Sequence, residues 1–246
     1  MKRIKLVIAY DGTRYCGWQL QPKQITVEAV LNKALTELLG EEITVIGASR
    51  TDSGVHAYGN VAVFDTDNRI PAEKICLAVN QRLPEDIRVQ SSAEVAADFH
   101  PRKVCCRKTY EYRILNRRIA LPTERLYSNF IYYELNPEAM QEACAYLVGE
   151  HDFKSFCSVK TQVTDTVRTI YGLDVTKVGD LITIRVTGSG FLYNMVRIIA
   201  GTLIEVGRGA YPPARVQEIL KGCDRSLGGP TALPEGLTLV SIDYAL

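Results

Sequence analysis

The chain has 246 residues, of which 46% are hydrophobic and 23% are charged, and its formal net charge is +1. This composition is typical of a folded globular protein that can bury a substantial core, and it excludes disordered and fibrous classes. Because the net charge is close to zero, any nucleic-acid-binding surface has to arise from local segregation of charge.

The first half of the chain alternates strands and helices. Apolar residues recur at i, i+3 and i+4 spacing over 26–39, which predicts a helix that Thr26 caps and Gly40 ends. In chain order the predicted elements are a strand at 4–10, that helix, hairpin strands at 43–46 and 61–64, a short helix after Pro71 and a strand at 87–96. This order is β-α-β-β-α-β, the ferredoxin-like arrangement.

The second half repeats that order. Gly179-Asp180 lies between two alternating runs, which is a strong hairpin signal. The predicted elements are strands at 108–115, 167–177, 181–187 and 237–244 and helices at 137–148, 191–206 and 213–221. We therefore predict an α+β fold of two ferredoxin-like halves, with mainly antiparallel sheets and a central cleft. Residues 98–106 are the best boundary, which gives an N-terminal domain at 1–104 and a C-terminal domain at 105–246.

Cysteine, histidine and hydropathy patterns bear on several kinds of site. The seven cysteines form no C-x-x-C pair, which favours free thiols in a reducing compartment and hence a cytoplasmic protein. His56, His100 and His151 lack ligand spacing, so no metal site is expected. No apolar run is long enough to span a membrane, and the apolar N-terminus runs into Asp11-Gly12 without a signal-peptide cleavage site.

The hairpin loop at 49–56 brings a carboxylate, Asp52, close to Arg50. Loops whose ends are fixed by a sheet are common places for catalytic side chains. Asp52-Ser53-Gly54 is also ordinary turn chemistry, because aspartate bonds to its own backbone and glycine accepts a positive φ. The loop alone therefore favours a structural turn, and the features described next reverse that preference.

A basic segment with tyrosines occupies residues 102–125. Its basic residues are Arg102, Lys103, Arg107, Lys108, Arg113, Arg117, Arg118 and Arg125. Alternation along a strand puts Tyr110 and Tyr112 on one face with Lys108. Such a segment can neutralise phosphates and stack on an unpaired base, or it can be a solvated edge strand whose charges discourage aggregation. The charges alone leave both interpretations open.

The apolar segment 191–206 predicts a buried helix that carries Arg197. An arginine cannot shed its proton, so its burial requires an anionic partner unless its long stem reaches water. If the partner is Asp52, the arginine lowers the pKa of that carboxylate by about 1–3 and keeps it ionised at neutral pH. An ionised carboxylate is what a nucleophile of this kind requires.

Several separated motifs, in the same order, resemble those of the TruA-type tRNA pseudouridine synthases. They are Tyr10-Asp11-Gly12, Gly17-Trp18-Gln19, Arg50 to Ala57, Phe99-His100-Pro101-Arg102, Tyr110, Phe153 to Phe156, Arg168-Thr169-Ile170, Phe191 to Gly207 and Gly228 to Ala232. The resemblance covers almost the whole chain. Ser53 and Asn60 stand where the family more often has alanine and glutamine, and both departures are conservative.

This resemblance implies isomerisation of uridine to pseudouridine in the anticodon stem-loop of tRNA, at tRNA positions 38, 39 and 40, by base flipping and without a cofactor. It makes Asp52 the catalytic carboxylate and Arg197 its partner. Tyr110 is implied to lie against the target base, and we place Arg50 and His56 with it as substrate-binding residues. The resemblance also implies a homodimer that binds one tRNA with both subunits.

Two alternatives remain open at this point. The chain could be a non-catalytic RNA-binding protein, because RNA-recognition modules share the ferredoxin-like topology and stack bases on sheet aromatics. Their aromatic-rich RNP1 pattern is absent here, and Arg197 in an apolar helix would have no role in such a module. It could also be a pseudouridine synthase that acts on another RNA.

Overall fold

A computed structural model describes residues 1–159 and 163–244 of the chain. These residues divide into two units. The N-terminal unit comprises Met1–Cys106 and the last strand from Thr238 onward, and the C-terminal unit comprises Arg107–Leu237. The last strand therefore belongs to the N-terminal unit. The division into domains at 1–104 and 105–246 stays a prediction.

Strands and short helices alternate in both units. The strands are β1 (Lys2–Tyr10), β2 (Ile46–Gly47), β3 (His56–Thr66), β4 (Ile87–Val95), β5 (Cys106–Asn116), β6 (Asn129–Ile131), β7 (Gly149–Asp152), β8 (Val167–Val178), β9 (Leu181–Gly188) and β10 (Leu237–Tyr244). The helices are α1 (Val27–Leu39), α2 (Ile75–Val79), α3 (Pro137–Cys144), α4 (Met195–Gly207) and α5 (Arg215–Gly222). The predicted α+β class is confirmed.

In the N-terminal unit, β3 is antiparallel to β1, and β1 is antiparallel to β4. Strand β2 pairs antiparallel with β3 near Val63, and β10 pairs parallel with β3 at His56 and Ala57. The order β4-β1-β3-β2 is that of a ferredoxin-like sheet. Alternate residues of β1 are fully buried, as expected for a strand with one face on a core. They are Ile4, Leu6 and Ile8.

In the C-terminal unit, the sheet order is β5-β9-β8-β7, and every neighbouring pair along this path is antiparallel. Strand β6 runs parallel to the end of β5. Helix α4 packs on α3 and is buried along nearly its whole length. The apolar character of 191–206 is therefore that of a core helix, as predicted.

The predicted boundary signals of α1 are confirmed. The Thr26 side chain accepts a hydrogen bond from Ala29 N, and Gly40 ends the helix with a left-handed φ of 72°. Helix α4, in contrast, begins at Met195 rather than at 191, because Asn194 adopts a left-handed conformation that a helix cannot include. Strand β2 has only two residues, at the end of its predicted run.

No helix within the described ranges combines the length and the apolar composition needed to cross a bilayer. Over the same ranges, no three His, Cys, Asp or Glu side chains are grouped as ligands of a metal ion. None of the seven cysteines, all of which lie in the described ranges, forms a disulfide.

Candidate functional site

Asp52 lies in the loop that joins β2 to β3 in the N-terminal unit. Its side chain is half-buried, whereas Arg50 and Ser53 on either side are exposed. Val55 N donates to Asp52 O over 3.2 Å, and Gly54 takes a φ of 79°, so the backbone turns tightly directly after the carboxylate. The loop therefore presents Asp52 from a closed turn whose two ends belong to a sheet.

A second segment, residues 12–18, holds the backbone of this loop. Trp18 N donates to Thr51 O over 3.0 Å, and Tyr15 O accepts bonds from Gly54 N (3.3 Å) and from Ser53 Oγ (3.2 Å). These contacts fix the residues on both sides of Asp52. Such preorganisation matters in a catalytic site, because an ordered backbone does not have to reorganise when charge develops.

Beneath the loop lies a buried polar network centred on Asn60, which has no exposed surface. Its Nδ2 donates to Ser49 O (3.0 Å) and to the hydroxyl of Tyr10 (3.2 Å), and its Oδ1 accepts from Ser49 N (3.3 Å). The Tyr10 hydroxyl also shares a hydrogen bond of 2.7 Å with Thr51 Oγ1. Because an unsatisfied buried polar group costs about 1–3 kcal/mol, this network ties residues 49–51 to the sheet.

His56, at the start of β3, is 4% exposed. Its Nδ1 accepts a hydrogen bond from Gly12 N over 3.1 Å and lies 3.2 Å from Asp11 Oδ1. The ring therefore links the end of the loop to the 12–18 segment. That contact is internal to the N-terminal unit.

In the C-terminal unit, Tyr110 lies on β5 and is 8% exposed. Phe191 meets it edge-on, with ring centroids 5.2 Å apart and an interplanar angle of 85°. Edge-to-face pairs are favoured by the ring quadrupoles, so Phe191 restricts the orientation of the Tyr110 ring. On the same strand Tyr112 is fully buried and donates to Leu233 O over 2.9 Å.

Arg197 extends from the first turn of α4. Its Nε donates to Ala232 O over 2.8 Å, and its Nη1 donates to Asn194 Oδ1 over 3.1 Å. Burial raises the pKa of Tyr112, while a hydrogen bond with Asn129 and the positive charge of Arg197 oppose that rise. The two acceptors of Arg197 are neutral groups of the same unit, so their bonds orient the guanidinium without neutralising it.

Several basic residues of the predicted 102–125 segment have local partners. Arg113 Nη2 lies 3.6 Å from Glu124, and Arg117 Nη1 lies 3.4 Å from Asp180. Arg107 lies over the ring of Tyr171, 5.1 Å from its centroid. Arg102, Lys103 and Arg118 are exposed. Arg107 and Arg125 are exposed as well, so the segment's positive charge is only partly neutralised.

Residues 6–102 and 143–245 match the tRNA pseudouridine synthase family. The chain belongs to this family. It is 49% identical over 244 residues to a tRNA pseudouridine synthase A of Brevibacillus brevis, covering 99% of this chain and 100% of the relative. It is 48% identical, with the same coverage, to the protein of that name from Thermoanaerobacter sp., and 49% identical over 245 residues to that of Ruminiclostridium cellulolyticum.

Asp52 and Arg197 both lie inside the segments that match the family, whereas Tyr110 falls between them and within the full-length similarity to the relatives. The structure places Arg50 and Asp52 on the β2–β3 loop, His56 at the start of β3, and Tyr110 and Arg197 in the C-terminal unit. Sequence reasoning gave no role to Tyr10, Thr51 or Asn60. Their contacts join residues 41 and 50 positions apart, which no local pattern indicates.

Proposed function

We propose that this protein, an isomerase of the tRNA pseudouridine synthase family, converts uridine to pseudouridine in the anticodon stem-loop of tRNA, at tRNA positions 38, 39 and 40. The observation that carries the proposal is the similarity over 99% of the chain to full-length relatives named for this reaction. The firmly held loop around Asp52 supports it, because the reaction requires one well-placed carboxylate.

The proposed reaction breaks the bond between uracil N1 and ribose C1′, turns the base and joins C1′ to C5. The C5 proton leaves and N1 gains one, so substrate and product are isomers and no co-reactant is consumed. The target base has to leave its stack first, which costs a few kcal/mol. Stacking on an aromatic side chain contributes about 1–3 kcal/mol per base and so offsets much of that cost.

In this proposal Asp52 is the nucleophile or the proton-transfer group, and Arg197 pairs with it and keeps it ionised. A neighbouring guanidinium lowers the pKa of a carboxylate because it favours the charged form. The bonds that Ala232 and Asn194 accept from Arg197 support this role, since they orient the guanidinium without neutralising it.

Tyr110 is proposed to stack on the flipped uracil, with its ring orientation restricted by Phe191. Arg50 is proposed to contact the RNA around the vacated position, which its exposure allows. For His56 we propose an indirect part in substrate binding, in which its bond to Gly12 N keeps the loop in place. Its 4% exposure leaves little surface for a nucleotide.

We also propose a homodimer that binds one tRNA with both subunits. Such an assembly doubles the basic surface available to a polyanion, which suits a chain whose own net charge is +1. Sedimentation of the free protein should give a dimer. Titration with one tRNA should then give a complex of two chains and one RNA; a complex with a single chain would contradict this assembly.

The activity test uses an unmodified tRNA transcript under single-turnover conditions, with pseudouridine mapped along the product. The wild type should modify positions 38–40, and Asp52→Asn should abolish turnover while tRNA affinity stays within about threefold. Asp67→Asn is the matched control, because it makes the same change at an exposed carboxylate. Turnover by Asp52→Asn would rule out the catalytic assignment. Binding without pseudouridine formation by the wild type would rule out the proposed function.

A further inference from the structure

We propose that Asn194 is a positioning residue, which sets the plane of the Arg197 guanidinium. The inference rests on the proposed function only in giving Arg197 a catalytic part. Asn194 is one of the non-glycine residues with a positive φ, at 61° with ψ of 7°. A left-handed conformation is disfavoured for residues with a Cβ, though less for asparagine than for most, and such residues concentrate at functional sites.

The Asn194 side chain does not do what its position predicts. It occupies the N-cap position of α4, where an asparagine normally accepts a hydrogen bond from a backbone N–H of the first turn, yet it makes no such bond. Its Oδ1 instead accepts from Arg197 Nη1 over 3.1 Å, and its Nδ2 donates to Ser158 Oγ over 2.8 Å. The side chain is therefore diverted from helix capping to Arg197.

The direction of the Asn194 amide follows from donor and acceptor chemistry. A guanidinium carries only donors, so the amide atom that faces it has to be the oxygen. The amide nitrogen then faces Ser158 Oγ, which can accept. The backbone of Asn194 is fixed as well, because its carbonyl accepts from Ile198 N over 2.9 Å. Both ends of the side chain and its backbone are thus held.

A planar guanidinium needs two fixed donors to define its orientation. Ala232 O holds Nε, and Ala232 N donates in return to Arg197 O over 3.1 Å. The bond from Nη1 to Asn194 adds a second fixed contact, which restricts tilting of the plane about Nε. The pair of acceptors therefore fixes where the remaining N–H groups point.

The segment that carries Ala232 has little freedom to adjust. A Cβ at Gly201 of α4 would come within 1.8 Å of Pro230 O, and Gly229 N donates to Thr202 Oγ1 over 3.0 Å. The 229–232 segment therefore packs directly against α4. The Arg197 guanidinium therefore lies between two fixed acceptors, the Ala232 carbonyl and the Asn194 amide oxygen.

The test removes the Asn194 amide without adding strain. Asn194→Gly suits the purpose, because glycine adopts a positive φ readily. A misplacement of about 1 Å in a catalytic group can cost on the order of 100-fold in rate, so we expect single-turnover pseudouridine formation to fall about 10- to 100-fold. Affinity for tRNA should stay within about threefold, because the guanidinium keeps its charge.

Asn136→Gly is the matched control, because Asn136 caps α3 conventionally by accepting from Ala139 N over 2.9 Å. Its loss should leave the protein folded and the rate within about twofold, since glycine is a tolerated N-cap. A similar loss of rate in both variants would mean that any asparagine-to-glycine change at a helix start disturbs turnover, and would overturn the proposal.

A double-mutant cycle separates positioning from general structural damage. In an Arg197→Lys background the Nη1 donor is gone, so Asn194→Gly should cost less than about twofold in rate. The same fold-loss in both backgrounds would overturn the proposal, and so would wild-type turnover by Asn194→Gly. Should Asn194→Gly fail to fold, Ser158→Ala takes its place in the cycle, because it frees the amide to rotate without touching the backbone.

A nuclear magnetic resonance measurement tests the positioning role without measuring activity. The Arg197 Nε–H signal, assigned by its absence in Arg197→Lys, should show a more restricted guanidinium in the wild type than in Asn194→Gly. Equal restriction in both proteins would overturn the positioning role. If the wild type forms no pseudouridine while this difference persists, the proposed function fails and the positioning role stands.

Discussion

Gly17 determines how closely the 12–18 segment approaches the Asp52 loop. Its φ is 82°, and a Cβ there would lie 2.6 Å from Thr51 O. The same close approach permits the bond from Trp18 N to Thr51 O. Because Gly17 has no side chain, the backbone of the 12–18 segment can hydrogen-bond the backbone of the loop next to Asp52.

Gly17→Ala should therefore lower both stability and turnover. We expect a loss of unfolding free energy of about 2–3 kcal/mol, which combines the left-handed penalty with the clash. Turnover should fall even at temperatures where the variant is folded, because the residue before Asp52 has to shift. Urea unfolding and single-turnover assays measure the two effects.

Gly179→Ala is the matched control for this change. Gly179 has a φ of 59°, but a Cβ there would meet nothing within 4 Å. It should lose only the left-handed penalty of about 1–2 kcal/mol and keep full turnover. Equal losses of stability in the two variants would contradict this explanation, because they would show that the close contact with Thr51 O adds nothing to the cost at position 17.

At the scale of elements, the predictable parts are those with local signals. Helix α1 follows from its apolar spacing, Thr26 and Gly40, all of which act within the helix itself. The start of α4 was predicted wrongly, because Asn194 has a left-handed φ of 61° that no local sequence pattern indicates. The position of Asp52 in a loop followed from hairpin chemistry, whereas its support by Tyr10 and Asn60 depends on which strands pair.

Strands β1 and β3 carry a cross-strand ion pair between Arg3 and Asp65, which are directly opposite each other. Arg3 Nε and Nη2 donate to the two carboxylate oxygens over 2.8 and 2.6 Å, and these bonds hold the pKa of Asp65 below its usual value. Because the folded-state pKa is lowered, the pair stabilises the protein above the unfolded pKa of about 4, and the effect is lost as the pH falls through the folded value.

A double-mutant cycle with Arg3→Gln and Asp65→Asn should measure this pair. At pH 7 we expect a coupling of about 0.5–1 kcal/mol in unfolding free energy, a size typical of partly exposed pairs. The coupling should shrink as the pH falls below about 4. A coupling that persists unchanged at pH 2 would contradict an electrostatic origin.

Helix α3 buries Cys144, whose Sγ donates to Met140 O over 3.2 Å. Burial, with a smaller contribution from Asp174, raises the pKa of this thiol to about 12. Since the thiolate is the reactive form, iodoacetamide at pH 8 should leave Cys144 unmodified in the folded protein and alkylate the exposed Cys105. Peptide mass spectrometry measures both, and Cys144 should react once urea unfolds the chain.

At the scale of the whole molecule, the question is how a chain with a net charge of +1 binds a polyanion. Affinity for a nucleic acid depends on the cations that meet phosphates rather than on net charge, because each contact releases counterions. The basic segment at 102–125 offers exposed cations at Arg102, Lys103, Arg107, Arg118 and Arg125, while Arg113 and Arg117 have carboxylate partners. Arg107 lies over the Tyr171 ring and Arg125 donates to Pro122 O, so Arg102, Lys103 and Arg118 are the better candidates for phosphate contacts. Local exposure therefore predicts which residues of the segment bind RNA.

Replacing Arg102, Lys103 and Arg118 together by glutamine should weaken tRNA binding. The slope of log K against log salt should become shallower by about 2–3, since each lost phosphate contact removes roughly 0.7–0.9. The control replaces Lys33, Lys177 and Lys221 by glutamine; these are exposed too, so both variants have the same net charge and differ only in where the charge was removed. Filter binding across a salt series measures both slopes. Because long-range attraction depends on total charge, equal changes in the two variants would mean that net charge governs binding, whereas a change confined to the first places the RNA on the 102–125 segment.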